Sequence, residues 1–87
     1  MSFYFVYILE CADKTLYTGY TNDLKKRVFA HNTLNSGAKY TKARRPVLLA
    51  YSEKYKSKTK ALKREYAIKR LSRKKKLNLI ETKIRNR

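Results

Sequence analysis

The spacing of apolar residues changes several times along the chain, and the first pattern predicts strands. Residues 3–9, FYFVYIL, are a continuous apolar run rich in aromatic and β-branched side chains, as in a strand buried on both faces. The turn-forming residues 12–15 follow, and residues 16–20 predict a second strand in an antiparallel hairpin with the first. Residues 47–55 alternate well enough for a third strand.

A helical pattern follows the predicted hairpin. Thr21 can cap a helix that runs to about Leu34, with Asp23 in its first turn, where a carboxylate suits the helix dipole. Residues 35–46 then predict a loop that contains Gly37 and several basic side chains.

Two further helices are predicted after the third strand. Ser57 or Thr59 can cap a long helix that ends near Leu71. Ser72 can cap a last, strongly basic helix over about residues 73–85.

The order of elements is strand, strand, helix, strand, helix, helix. It predicts an α+β fold in which helices flank a small, three-stranded, mostly antiparallel sheet. For a chain of 87 residues we expect one domain over residues 1–87, with its core within about residues 3–80. The single cysteine, Cys11, excludes an intramolecular disulfide and is expected to be a small buried residue in a reducing compartment.

The N-terminal apolar run does not have the features of a targeting segment. No basic residue precedes it, no small-residue cleavage site follows it, and it is too short to span a bilayer. We therefore expect a soluble, cytoplasmic protein. Cysteine pairs and histidine clusters of the kind that hold zinc are also missing from the sequence.

The charge of the chain predicts a polyanionic partner. Lys and Arg number 23 against six Asp and Glu, for a formal net charge of +17. A compact molecule with this charge repels itself, and an anionic partner relieves the repulsion. Nucleic acid is the leading candidate, and an anionic membrane surface is the second.

Two polar residues interrupt the apolar side of the first predicted helix. At about 100° per residue, Arg27 and His31 fall among Leu24, Val28 and Leu34. Arg27 could pack its stem and extend its charged head to water, and His31 could be a satisfied, half-buried side chain. Because the two lie one turn apart, a functional site is an equally good interpretation.

An acidic residue interrupts the second long helix in the same way. Its predicted apolar side consists of Ala61, Leu62, Tyr66, Ala67, Ile68 and Leu71. Glu65 projects between two of these residues, and a carboxylate that faces a core must be paired, hydrogen-bonded or metal-bound. An ion pair with Lys69 or Lys63 and a ligand for a hard metal ion are both open.

Tyrosines are the third notable group. Tyr4, Tyr7, Tyr17 and Tyr20 are expected to crowd one small area of the hairpin. An aromatic core with hydroxyls that reach its edge would explain them without any chemistry. Gly19 is near the end of the second strand, where a glycine often marks the close approach of another group to the backbone.

These residues occur in the order found in a known family. The chain resembles the GIY-YIG nuclease domain over nearly its whole length, with the two tripeptides present as VYI (residues 6–8) and YTG (residues 17–19). Arg27, His31 and Glu65 match the family's arginine, its following His or Tyr, and its single glutamate.

Another stretch narrows the resemblance. The sequence ALKREYAIKRLSRKKK is similar to the small single-domain bacterial members of the family, the YhbQ-like proteins. Val6 replaces the first glycine of the first tripeptide, and Thr18 is the middle residue of the second. Asn78 lies near the place of a late asparagine found in many family enzymes, but its register is loose.

The resemblance implies metal-dependent hydrolysis of DNA phosphodiester bonds. Glu65 would hold one Mg²⁺ or Mn²⁺ ion, and Arg27 would clamp the scissile phosphate. Tyr7 or Tyr17 would accept the proton of the attacking water, and His31 would hydrogen-bond a tyrosine, orient the water or shuttle a proton.

Basic side chains would then contact phosphates without reading sequence, so we expect a preference for DNA structure over DNA sequence. The predicted substrate-binding residues are Gly19, Lys25, Lys26, Lys39, Lys42, Arg44, Arg45 and Lys69. Two other hypotheses remain: a binding module for DNA or RNA that keeps the fold without useful turnover, and, suggested by charge alone, a ribosome- or RNA-associated factor.

Overall fold

Three strands form one antiparallel sheet in the computed structural model, which describes residues 2–33 and 39–85. The strands are β1 (Tyr4–Glu10), β2 (Leu16–Thr21) and β3 (Leu48–Tyr55). Their order in the sheet is β2-β1-β3, so the first strand of the chain lies in the middle. The predicted α+β architecture and strand hairpin are confirmed.

Helices flank this sheet in the predicted order, with one short addition. They are α1 (Leu24–Thr33), α2 (Lys39–Lys42), α3 (Lys58–Lys69) and α4 (Arg73–Arg85). The four-residue α2 lies in the segment predicted as a loop. The predicted end of the first helix at Leu34, and Gly37, lie outside the described residues.

Helix α1 begins later than predicted. Thr21 is still part of β2, where it pairs with Phe5, so the helix cannot start there. Asp23 is the cap instead, because its carboxylate accepts from the backbone N–H of Lys26 at 3.1 Å and its carbonyl from that of Arg27 at 3.0 Å. The hydroxyl of Thr21 accepts from the N–H of Asp23 at 3.1 Å and fixes the turn before the helix.

Serine caps begin the two later helices. The Ser57 hydroxyl accepts from the N–H of Lys60 at 3.2 Å, which decides between the two predicted caps of α3. The Ser72 hydroxyl accepts from the N–H of Lys75 at 3.3 Å at the start of α4, as predicted. Helix α3 ends at Lys69, slightly before its predicted end.

The two faces of the sheet carry separate apolar clusters. Successive side chains of a strand point to opposite faces, so β1 contributes to both. One cluster contains Val6, Ile8, Ala61 and Ile68, and the other contains Tyr7, Leu9, Cys11 and Val47. Helices α3 and α4 cover the first face, while Leu24 and Val28 of α1 pack on the second.

This alternation corrects the expectation that four tyrosines share one area. Tyr4 and Tyr20 stack at a ring-centroid distance of 6.2 Å and belong to the first cluster. Tyr7 and Tyr17 are 6.5 Å apart and belong to the second. The tyrosines therefore form two pairs on opposite faces of the sheet.

The apolar side predicted for α3 is also narrower than expected. Of its six predicted members only Ala61 and Ile68 are buried, while Leu62 is 41% and Tyr66 63% exposed. Residues 61 and 68 repeat after two helical turns and form a single line of contact with the sheet. The aromatic and leucine side chains to either side of that line face solvent.

A polar network ties β3 to α3. The Glu53 carboxylate accepts from Nε of Arg64 at 2.8 Å, from the Tyr55 hydroxyl at 2.6 Å and from the Tyr51 hydroxyl. Burial alone would raise the pKa of Glu53, but these bonds, led by Arg64, outweigh it and lower the pKa. Burial and the neighbouring carboxylate raise the pKa of Tyr51 to about 12.

Among the helices that the structure describes, we find none with the length and apolar character needed to cross a membrane.

Candidate active site

Tyr7 is at the centre of the candidate site. It lies in the middle of β1 and is 1% exposed. Its hydroxyl is 2.9 Å from Nε2 of His31 on α1. Across the hairpin it faces Gly19, where an added Cβ would lie 2.5 Å from Cζ of Tyr7. The group that approaches the backbone at Gly19 is therefore the phenol ring of Tyr7.

His31 extends the hydrogen bonding of Tyr7 into α2. The imidazole is fully buried, and its Nδ1 is 2.7 Å from the Thr41 hydroxyl. Burial, together with the charges of Arg27 and Arg45, lowers the pKa of His31 to about 4. The ring is therefore neutral at pH 7, with one nitrogen donating and the other accepting.

The Tyr7–His31–Thr41 chain has one member that the sequence did not reveal. Thr41 is fully buried in a segment of mixed polar and basic residues, and no periodicity marks it. Its bond to His31 is one of the tertiary contacts that support a helical turn where the pattern predicts a loop, since such contacts can override weak local preferences.

Arg27 and Glu65 both act electrostatically on the Tyr7 phenol. Burial is the largest effect and raises the pKa of Tyr7. A hydrogen bond from Arg27 and its positive charge lower that pKa, while the proximity of Tyr17 and the negative charge of Glu65 raise it. The net result is a raised pKa, so Tyr7 is a neutral phenol at pH 7.

Tyr17 lies between the buried tyrosine and the surface. Its ring centroid is 5.1 Å from that of His31 and 5.8 Å from that of Tyr40 on α2. Tyr17 is partly exposed, in contrast to Tyr7. Four of the predicted catalytic residues thus lie in contact with, or in hydrogen-bonding range of, one another, and the fifth, Glu65, is near enough to influence Tyr7 by its charge.

Glu65 forms an ion pair with Lys69, one of the two partners that the sequence left open. Its carboxylate lies 3.2 Å from Nζ of Lys69, and its side chain is 19% exposed. No cluster of three or more His, Cys, Asp or Glu side chains suited to a metal occurs among residues 2–33 and 39–85. A single carboxylate still fits Mg²⁺, which commonly takes one or two protein carboxylates and completes its shell with water and phosphate oxygens.

Of the eight predicted substrate-binding residues, Gly19 is in contact with Tyr7 and Lys69 pairs with Glu65, and the other six divide into two groups. Lys25, Lys26, Lys39 and Lys42 are exposed on α1 and α2. Arg44 and Arg45 instead take part in internal contacts.

The contacts of Arg44 and Arg45 hold the segment around α2 in place. Arg44 lies over the ring of Tyr40 at 4.0 Å from its centroid and pairs with Asp13 at 3.0 Å. Arg45 donates to the backbone carbonyl of His31 at 2.6 Å, at the C-terminal end of α1. This bond satisfies a carbonyl that the end of a helix leaves without a partner in the helix itself.

Asn78 lies elsewhere. It lines a cavity of about 630 Å³ between α4 and β3, and none of the five predicted catalytic residues lines that cavity.

Comparison with models of protein families identifies the family of this chain. Residues 3–78 match the model of the GIY-YIG catalytic domain. The chain belongs to the GIY-YIG family. This family is a nuclease superfamily whose members act on nucleic acids and generally depend on divalent metal ions.

Small bacterial GIY-YIG relatives resemble the chain over almost all of its length. The UPF0213 protein of Staphylococcus saprophyticus is 55% identical over 92% of this chain and 96% of its own length. The UPF0213 protein of Staphylococcus aureus strain N315 is 57% identical, with coverage of 93% and 98%.

Two solution NMR structures share the fold. The UPF0213 protein BH0048 of Bacillus halodurans matches with a TM-score of 0.61 and 44% identity over 93% of this chain and 85% of that one. The protein EF2693 of E. faecalis matches with a TM-score of 0.61 and 38% identity over 94% and 85%.

Proposed function

We propose that this GIY-YIG protein is a cytoplasmic, divalent-metal-dependent endonuclease that hydrolyses DNA phosphodiester bonds and recognises DNA structure rather than sequence. One observation carries the proposal: Tyr7 interacts with Arg27, His31, Tyr17 and the charge of Glu65 at the same time. A phenol, a guanidinium and a carboxylate supply the groups needed for attack on a phosphodiester.

The chain's own residues divide the chemistry among themselves. Arg27 binds the scissile phosphate, because a guanidinium matches the oxygens of a phosphate and keeps its charge. Tyr17 contacts the attacking water and accepts its proton, since it is the more exposed of the two tyrosines. To accept that proton Tyr17 must act as the phenolate, so its own proton passes first to solvent.

The buried residues position the exposed ones. Tyr7 stays protonated and holds Arg27 through a hydrogen bond, while His31 fixes the phenol of Tyr7. Thr41 in turn holds the imidazole of His31 through its other nitrogen, Nδ1.

Glu65 would hold the Mg²⁺ or Mn²⁺ ion, which when bound would act as a Lewis acid and neutralise charge on the leaving 3′ oxygen. Lys69 would then turn from Glu65 toward a neighbouring phosphate. The exposed lysines of α1 and α2 would contact further phosphates, which provides affinity without sequence preference.

The test compares single-stranded, duplex and branched DNA, and an RNA of matched sequence, with Mg²⁺, Mn²⁺ or EDTA. Glu65→Gln and Arg27→Ala should each lower the cleavage rate at least about 100-fold, which corresponds to about 2.7 kcal/mol of transition-state stabilisation. Tyr17→Phe should have a similar effect. Glu81→Gln is the matched control, since it removes an exposed acid that pairs with Arg85 on α4.

The outcomes separate the hypotheses. Cleavage that persists at the wild-type rate in Glu65→Gln and Arg27→Ala would sink the assignment and point to a contaminating nuclease. Salt-dependent DNA binding by the wild type with no cleavage of any substrate would favour the binding-module hypothesis. Tighter binding to duplex RNA than to DNA would favour the RNA-associated hypothesis.

A further inference from the structure

A small pocket beside the candidate active site has no part in the roles assigned above. Its volume is about 240 Å³. Its lining residues are Thr15, Leu16, Tyr40, Leu71, Arg73 and Lys76. Leu16 and Leu71 pack with the first cluster, so the pocket lies at the β2 edge of the sheet, and Tyr40 connects it to Tyr17, since their ring centroids are 5.8 Å apart. The pocket is therefore next to the tyrosine assigned to the attacking water.

The pocket has an aromatic and aliphatic interior. Tyr40 is 38% exposed, and its ring contacts the Arg44 guanidinium and the Tyr17 ring. Leu16 and Leu71 are half-buried and add apolar surface. A partly exposed ring that lines a pocket together with aliphatic side chains suits a planar, uncharged group. The volume equals that of about eight liquid waters, which is suited to one heterocycle.

Two cations lie at the same pocket. Arg73 donates to the carbonyl of Lys14 at 2.6 Å, a bond that uses one of the five N–H donors of a guanidinium and fixes its position. Lys76 is half-buried, and both burial and the positive charge of Lys69 lower its pKa. A phosphate between these cations would relieve that unfavourable environment.

We propose that this pocket binds the base and an adjoining phosphate of one unpaired nucleotide next to the scissile bond. The position relative to the scissile bond rests on the proposed function, whereas binding of the nucleotide does not. Tyr40 and the two leucines contact the base, and Arg73 and Lys76 contact the phosphate. A paired base is stacked within its duplex, so only an unpaired base enters a pocket of this size.

Binding in EDTA tests the proposal without turnover. Fluorescence anisotropy compares a short thymidine oligonucleotide with a fully abasic phosphodeoxyribose oligomer of equal length and charge. The wild type should bind the thymidine probe at least about fivefold more tightly, or about 1 kcal/mol. Tyr40→Ala should remove this difference, and Tyr40→Phe should retain it.

A matched variant controls for loss of an exposed aromatic ring. Tyr66 on α3 is also an exposed tyrosine with an arginine nearby, since Arg70 lies 5.4 Å from its ring centroid. Tyr66→Ala should leave the ratio of the two affinities unchanged. Lys76→Gln should weaken both probes equally and lessen the salt dependence of binding, because it removes a phosphate contact.

Several results would overturn the proposal. They are equal affinities of the wild type for the two probes, a Tyr40→Ala variant that keeps the wild-type ratio, and a Lys76→Gln variant that binds both probes as the wild type does. Circular dichroism confirms that each variant is folded. If the wild type binds as expected but cleaves no DNA, the proposed function fails and the pocket assignment stands. If the wild type cleaves DNA but binds the two probes with equal affinity, the pocket assignment fails and the proposed function stands.

Discussion

Gly19 is the residue where a single added methyl group should disturb the site most. An alanine Cβ there would lie 2.5 Å from Cζ of Tyr7, a contact that forces the buried ring to move. Gly19→Ala should lower the free energy of unfolding by about 2 kcal/mol, as overpacking of a core does. Urea denaturation measures the change.

A double-mutant cycle shows whether the phenol ring causes that loss. In a Tyr7→Leu background the ring is absent, so Gly19→Ala should cost much less. An equal loss in both backgrounds would mean that the strand, and not the contact with Tyr7, disfavours alanine at this position.

His31 should make stability depend on pH in a defined window. Its pKa is about 4 in the folded protein, against 6.5 for the unfolded chain, so the folded state favours the neutral ring. This contribution is complete above pH 6.5 and is lost as the pH falls toward 4, by about 3 kcal/mol in total. Urea unfolding between pH 7 and pH 4.5 should show the decline.

His31→Gln identifies the group responsible for this decline. The variant keeps a polar side chain but does not titrate, so its stability should be nearly constant over that pH range. Glu53 has a lowered pKa, and its contribution is lost only as the pH falls below about 4.5. A slope that survives in His31→Gln would contradict the assignment.

At the scale of elements, Glu53 is the main polar link between β3 and α3. Glu53→Gln removes the charge that Arg64, Tyr51 and Tyr55 share, and should lower the free energy of unfolding by about 2 kcal/mol. Glu81→Gln removes one acid from an exposed ion pair with Arg85 and should change it by less than about 0.5 kcal/mol. Equal effects in thermal or urea unfolding would show that Glu53 is not a link of this kind.

The elements that sequence predicts well are those with a strong local pattern. The apolar run of β1 and the serine caps of α3 and α4 are local signals, and the structure confirms them. Helix α1 begins later than predicted because β2 continues to Thr21, which pairs with Phe5. A helix cap is recognised from neighbouring residues, whereas strand pairing joins residues that are far apart in the sequence, so the cap signal at Thr21 could not show it.

In the candidate site, too, local patterns were predictable from the sequence and contacts between distant residues were not. Arg27 and His31 were recognisable because helical spacing placed them on an apolar side, but their contact with Tyr7 depends on how α1 packs on the sheet. Tyr4 and Tyr7 are three positions apart in an extended strand, so their side chains point to opposite faces of the sheet. The expectation of a single tyrosine cluster did not take this alternation into account.

At the scale of the whole molecule, most of the acids form ion pairs with basic residues of the same chain. Asp13, Glu53, Glu65 and Glu81 each form an ion pair with a Lys or Arg, while a further acid, Asp23, caps α1. Most of the 23 basic side chains are left to face outward. The resulting positive field would attract a polyanion from a distance and weaken with salt.

The central place of β1 also determines the order in which the chain can assemble. Val6 faces Tyr20 across a short hairpin, and on its other side it faces Glu53, far along the sequence. Closing the hairpin loses little chain entropy, whereas seating β3 closes a much longer loop. Folding should therefore begin at the hairpin that holds Tyr7 and Gly19 together, and its rate should be limited by the arrival of β3.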